Sequence, residues 1–348
     1  RSDTCGRDPY VAHHSVPAGF GRDDPEVNRL DYYGVYRLYD ALTAWTFDND
    51  TLGRTVALKT GSPEQRYMGR CLGRGDFAEL RATDKPVPIL HESYFLNFYR
   101  HKMNPRARDE VRLDTTSSAV ISAARTLTTY ARSSWHRAIV EERREDEADD
   151  RREFYEDSLD GDYDDRGPCY VTPIDSGYGA RGPYRVRESS YPNLAGDGEL
   201  YVALPDSTAP RPLPMILLAP DSKSESPTEY MQLIRHIAGR GWAVLFSSYR
   251  SGMFIGDAWR YEALLSGYHS LEEILVDQLD TTRIGLVGHG YGAATHPATA
   301  YRYIVRRGWG TAGAFMFLMA PRYLYHITRE QMESFPDHVK LVVQVYDR

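Results

Sequence analysis

Cysteine and lysine are both scarce in this chain. Its 348 residues hold three cysteines, Cys5, Cys71 and Cys169. That is too few for a disulfide scaffold, and an odd count leaves at least one thiol unpaired within the chain. No cysteine–histidine cluster has zinc spacing, so the sequence offers no zinc site. Five lysines stand against 37 arginines, and the formal net charge is −7. Phosphate binding needs a concentrated basic face, so this balance argues against nucleic acid as the main partner. Long apolar runs are missing too. The longest, AGAFMFLMA at 312–320, falls well short of the ~20 residues that a membrane-spanning helix requires.

Aromatics and arginine are plentiful. The arginine excess has two readings: the codon bias of a GC-rich genome, or, together with the 26 tyrosines, a protein-binding surface built from residue types that interfaces favour. The chain opens on Arg1 rather than methionine. The expectation is a removed targeting peptide and an extracytoplasmic location, in a secreted form or an organelle lumen. Asn49-Asp50-Thr51 spells the N-glycosylation triplet, although one such triplet is close to chance expectation.

Two regions differ in rhythm. Residues 1–165 read as a mainly helical, Arg/Tyr-rich interaction region. Leu30, Tyr33, Tyr36, Leu38, Leu42 and Trp45 recur at helical spacing. A second helix is expected over 115–140, where Val120, Ala124, Leu127, Ala131, Trp135 and Ala138 form one stripe, with Thr116 or Ser117 as its cap. It runs into EERREDEADDRREFYEDSLDGDYDDRG, a solvated charged helix fading into a linker. Within it Asp160, Asp162 and Asp164 alternate as calcium ligands do, but the glycine and distal glutamate of a calcium loop are missing.

Residues 166–348 alternate strand and helix. GELYVALP, PLPMILLAP, WAVLFSSY, RIGLVG, GAFMFLMAP and VKLVVQVYD read as strands, and PTEYMQLIRHIAGRG, YEALLSGYHSLEEILVDQ and GAATHPATAYRYIVRRG as helices. That order predicts an α/β fold, a mostly parallel sheet with helices on both faces.

Chemistry concentrates in RIGLVGHGYGAATH, residues 283–296. As Gly-x-Gly-x-x-Ala, Gly288, Gly290 and Ala293 fit a dinucleotide turn. That reading needs an acid at the end of the next strand, which instead ends in Ala320 and Pro321, so no cofactor is expected. The same stretch also fits a nucleophile elbow, Gly-x-Ser-x-Gly, through Gly288, His289, Gly290, Tyr291 and Gly292, with the serine replaced.

The segments RGPYRVRESSYPNLAGDGELYVALP, PMILLAPDSKSES, GRGWAVLFSSYRS and DTTRIGLVGHGYGAA resemble, in order and spacing, the α/β-hydrolases of the cutinase and polyester-hydrolase type, a dienelactone-hydrolase-like group. The resemblance covers residues 178 to 348 and implies an α/β-hydrolase-like domain whose C-terminal part is truncated or absent. It places the serine nucleophile on Gly290, which has no side chain to attack a carbonyl. It places one oxyanion donor on the Tyr291 N–H and the other near Asp221 and Ser222. There the Asp221 carboxylate would repel a developing oxyanion. The acid of the triad falls on Asp347. The histidine that should follow is absent, and His289, His296, His326 and His338 all precede the acid.

The resemblance therefore implies a catalytically inactive hydrolase-like protein serving as an interaction subunit. The alternatives are a serine esterase in mutated or incomplete form, and a binder of a small apolar, ester or lipid ligand above Gly290, Tyr291 and Asp221. The last fails if Tyr249, Phe254 or Tyr291 packs the pocket shut.

Overall fold

The computed structural model describes residues 3–5, 8–10, 27, 30–71, 75–85, 174–193, 198–222, 226–249, 257–321 and 327–345. The helix expected at 115–140, the charged stretch after it, and Asp160, Asp162, Asp164 and Asp347 lie outside these residues, as do Cys169, Phe254 and His326.

Seven strands form the central sheet: β1 (Val186–Asn193), β2 (Gly198–Pro205), β3 (Leu213–Ala219), β4 (Ala243–Ser247), β5 (Leu279–His289), β6 (Gly313–Met319) and β7 (Val339–Gln344). Their order is β7-β6-β5-β3-β4-β2-β1. The β3–β4, β3–β5, β5–β6 and β6–β7 pairs are parallel. Only β1–β2 and β2–β4 run antiparallel. The chain explains the exception. A parallel crossover needs a dozen or more residues, and the connection from Asn193 to Gly198 is too short for one, so β1 and β2 pair as a hairpin. β3, β4 and β6 are buried along their whole length. That is why they read as unbroken apolar runs rather than alternating ones.

The helices divide between the two faces. On one side lie α5 (Asp257–Ile274) and α6 (Tyr291–Ala300). Tyr261, Leu265, Tyr268 and Leu271 of α5 pack with Leu217, Leu245, Leu286 and Met316 of the sheet. Every residue of α6 is buried, and its small side chains let it lie close against the strands. Pro297 interrupts it, and the helix continues in the wider π form over Tyr301–Arg306.

On the other side lies α4 (Met231–Gly239), which buries Leu233, Ile234 and Ile237. Beside it sit helices from the N-terminal region: α1 (Arg37–Asp48), entered through a π-helical stretch at Leu30–Tyr36, and α2 (Thr51–Leu58). A short helix, α3 (Pro63–Arg66), follows. Tyr39, Leu42, Ala41 and Val56 share one cluster with Ile216, Leu218, Phe246, Val287, Phe315 and Phe317. The helical N-terminal residues thus cover one face of the sheet. A short helix, α7 (Arg329–Glu333), precedes β7. Leu341 and Val343 of β7 are exposed, as is Val345 just after it. The whole is a mostly parallel seven-stranded sheet with helices on both faces, one face covered by helices of the N-terminal region.

Two polar devices fix α1 in place. Asp40 is buried on the apolar face, where it accepts the Gly179 N–H at 2.8 Å and faces His236 Nε2 of α4 at 3.0 Å. A buried carboxylate is tolerable only when so matched. Arg37 donates to the carbonyls of Glu64, Gln65 and Tyr67 at 2.6, 3.0 and 2.7 Å, closing the end of α3. Burial lowers the Arg37 guanidinium to about 10, so it stays charged at neutral pH.

If α1 belongs to the sheet core, truncating its buried leucine weakens the entire domain. Leu42→Ala is expected to cost about 2–5 kcal/mol in urea unfolding followed by far-ultraviolet circular dichroism. Leu52→Ala, at a side chain that is 57% exposed, should change stability by less than ~0.5 kcal/mol. Equal costs for the two would detach α1 from the core.

Candidate functional site

The carboxyl ends of three parallel strands meet at one turn. Ala219 of β3 registers with Gly288, and Leu318 and Met319 of β6 register with Gly288 and His289. The turn from β5 into α6 is tied to both neighbours. The Gly290 N–H donates to Met319 O at 2.9 Å, and the Gly292 N–H donates to Pro220 O at 3.0 Å. The flanking glycines are steric requirements. A Cβ at Gly288 would stand 2.6 Å from Ala293 N, and one at Gly292 would stand 2.2 Å from Ala219 O. Strand and helix pass too closely there for any side chain.

Gly290 itself sits at φ 54° and ψ −109°. A residue with a Cβ held in so sparse a region costs about 1–3 kcal/mol, whereas glycine occupies positive φ freely. This is the sharp strand-to-helix turn that the sequence pattern describes, with a hydrogen atom at its apex.

What fills the apex is the carboxylate of Asp221. It lies just beyond β3 and is 2% exposed. Its Oδ1 accepts the Tyr291 N–H at 2.8 Å. A Cβ built on Gly290 would lie 2.0 Å from that same oxygen and 2.3 Å from Asp221 Cγ. The carboxylate therefore takes both the volume of a side chain at position 290 and the backbone donor that follows it. The two residue types are coupled: only a glycine at 290 leaves room for the acid.

A second layer fixes the acid's backbone. The Asp221 N–H donates to Tyr230 Oη at 3.0 Å. Tyr230 Oη lies 2.8 Å from His289 Nδ1. Tyr230 carries no sequence motif. Its one hint is a tyrosine inside an otherwise amphipathic helix start, PTEYMQL. Ser222 follows Asp221 in a partly exposed turn.

The roof is aromatic. Tyr249 is fully buried, its ring 5.4 Å from that of Tyr291, and its hydroxyl donates to Pro220 O at 3.4 Å. Ala219, Ala263 and Leu264 complete the packing around the two rings. The Arg260 guanidinium lies 5.9 Å from the centre of the Tyr291 ring. Burial, then the nearby Tyr291 and Asp221, raise the Tyr249 phenol well above its ordinary range. Tyr249 and Tyr291 are thus both buried and pack edge to face beside the turn.

Among the described residues, His296 and His338 face backbone carbonyls rather than the apex. His296 lies under the turn, with Nε2 2.8 Å from Val287 O. Burial, the largest influence on it, lowers its pKa to about 4, so the ring is neutral at ordinary pH. His338 Nε2 lies 3.0 Å from Gly310 O, in the loop that leads into β6 rather than at its carboxyl end. The DTTR segment is structural as well. Asp280 Oδ1 accepts the Thr282 N–H at 2.9 Å, and Oδ2 accepts Arg283 Nε at 2.7 Å, stapling the start of β5 far from Gly290. A pyrophosphate on the N-terminus of α6 would meet the Asp221 carboxylate, which opposes the dinucleotide reading electrostatically. Among the described residues, no group of three or more His, Cys, Asp or Glu side chains is placed to hold a metal ion. Nor is any helix among them long and apolar enough to cross a membrane.

Two consequences are measurable. Gly290→Ala should cost more than backbone strain alone, and Asp221→Gly in the same molecule should recover part of the loss. The two changes are then non-additive by more than ~0.5 kcal/mol, and additivity would place the carboxylate elsewhere. For His296, an unfolded imidazole gains its proton near 6.5 and the folded one only near 4. Between those values the unfolded state binds more protons. Stability therefore falls as pH drops through that window, by on the order of 3 kcal/mol. His296→Gln should flatten the pH dependence of unfolding between 6.5 and 4, and equal slopes in both proteins would contradict the assignment.

No protein-family model and no curated protein matches the chain. Among solved structures it is similar to esterase B from Lactobacillus rhamnosis HN001, at 15% identity over 40% of this chain and 50% of that one, with a TM-score of 0.33. It is similar also to fungal esterases from Rhizomucor miehei, at 16% identity, 40% and 46% coverage and a TM-score of 0.33. A bacterial heroin esterase shares 21% identity at 40% and 45% coverage, with a TM-score of 0.29. The chain spans about half the length of the structures it matches. At such TM-scores the functional reading rests on the geometry of the turn and not on these relatives.

Proposed function

We propose that this chain is a catalytically inactive α/β-hydrolase-like protein that serves as a structural, protein-binding subunit. One observation carries the first half. The Asp221 carboxylate occupies the nucleophile's place beside Gly290 and takes the Tyr291 N–H that would otherwise steady an oxyanion. An acyl transfer at this turn lacks its attacking atom. A second negative charge developing there would be repelled at contact distance, the reverse of oxyanion stabilisation. The closed packing of Tyr249 on Tyr291 supports inertness over ligand storage.

The subunit half is supported by composition. A protein with 37 arginines and 26 tyrosines carries the side chains from which interfaces are built. The likeness to cutinase-type enzymes rests on DTTRIGLVGHGYG and is part of the proposal.

The expected outcome for purified wild-type protein with a short-chain nitrophenyl ester is hydrolysis no faster than with heat-denatured protein. Gly290→Ser should stay equally inert, because Asp221 remains in the cradle. Turnover by either protein would favour the esterase alternative. Gentle isolation followed by size-exclusion chromatography should show the chain in a particle larger than its own 39.6 kDa. Recovery as a lone monomer would count against the subunit role.

A further inference from the structure

We propose that Asn49 is an acceptor site for an N-linked oligosaccharide. Asn49 lies in the two-residue connection between α1, which ends at Asp48, and α2, which begins at Thr51. It holds a left-handed backbone, φ 55° and ψ 31°, and it is exposed. Its neighbours Asp48, Thr51 and Leu52 are exposed too, so the turn projects from the surface rather than into a crevice.

The triplet's three residues carry separate tasks. Asp50 is the structural member. Its Oδ1 caps α2 by accepting the Leu52 and Gly53 N–H groups at 2.9 and 3.3 Å, and its Oδ2 accepts the Tyr178 hydroxyl. With that side chain engaged in the cap, Asn49 and Thr51 on either side of it stay exposed. The Asn49 carboxamide makes no hydrogen bond to any described residue. Asn193 shows the opposite case. It is 2% exposed, and its Nδ2 donates to Ser248 O at 2.9 Å and Ala263 O at 3.1 Å, so its carboxamide is part of the core. Asn193 begins no acceptor triplet, whereas the outward-facing Asn49 has a hydroxyl residue, Thr51, two positions on.

A left-handed helix terminus alone explains an asparagine there, since Asn and Gly both tolerate that conformation. It does not explain the threonine at the start of α2. The hydroxyl two residues after an asparagine is the feature a transferring enzyme reads. The donor class is a lipid pyrophosphate-linked oligosaccharide. The Asn49 amide nitrogen forms a bond to the first sugar carbon, and the bond from that carbon to the pyrophosphate oxygen breaks. The lipid pyrophosphate leaves with the electron pair, and the amide proton goes to a base on the transferring enzyme. A sugar chain at this turn would shield Leu52, which is 57% exposed.

The test is independent of catalysis. The full chain is produced through the secretory pathway of a eukaryotic host, and both secreted and lumen-retained protein are analysed by intact mass before and after peptide-N-glycosidase. The wild type should lose the mass of one oligosaccharide on digestion. Thr51→Ala should carry none, Thr51→Ser should keep it, and Asn49→Gly, which preserves the left-handed cap, should lose it without losing the fold. A wild-type chain of unmodified mass, or a Thr51→Ala chain that still carries sugar, overturns the assignment.

Discussion

The contact between the Asp221 carboxylate and the Tyr291 N–H, at 2.8 Å, is the constraint on which the turn between β5 and α6 depends. Everything around the turn agrees with it. Gly290 has no Cβ to compete for the volume, the strand ends of β3 and β6 hold the backbone in register, and Tyr230 anchors the acid's own amide. A buried carboxylate that loses its partners is expensive, on the scale of several kcal/mol, so the contact is a structural commitment rather than an incidental one. The turn keeps the backbone shape that suits a reactive side chain, and the chain uses that shape to hold a charge of its own.

The same economy appears on the opposite face. Asp40 is buried within α1, and it is met by the Gly179 N–H and by His236 of α4. Both acids sit among apolar neighbours, and both are satisfied by groups from distant parts of the chain. Together they orient elements that hydrophobic burial alone would leave free to slide. The N-terminal helices are therefore fixed on the sheet in one register, with Tyr39 against Phe315 and Phe317.

Much of this fold was legible in the sequence for reasons of local chemistry. PLPMILLAP and GAFMFLMAP are apolar throughout because their strands are covered on both sides, and RIGLVGHGYG shows its turn through glycines that no other residue replaces. The helix around Leu38 and Leu42 was legible from spacing, but its docking site was not. A stripe announces a buried face without naming its partner, and the sheet residues it meets lie far along the chain. Asp221 was visible as an unsuitable residue beside an oxyanion. Its seat in the cradle was not visible, because the contact joins residues 70 positions apart. Tyr230 is not legible for the same reason, since one tyrosine among many carries no local mark.

Hydrogen exchange at the Tyr291 amide tests the central claim most directly. In the wild type this N–H is buried and bonded to a carboxylate, and it should exchange as slowly as the core amides of β5. In Asp221→Ala, with the fold retained, it should exchange much faster while the amides of β5 keep their protection. An amide at Tyr291 that exchanges equally in both proteins would show that the carboxylate does not occupy the turn, and the account of an inert, self-filled site would fall with it.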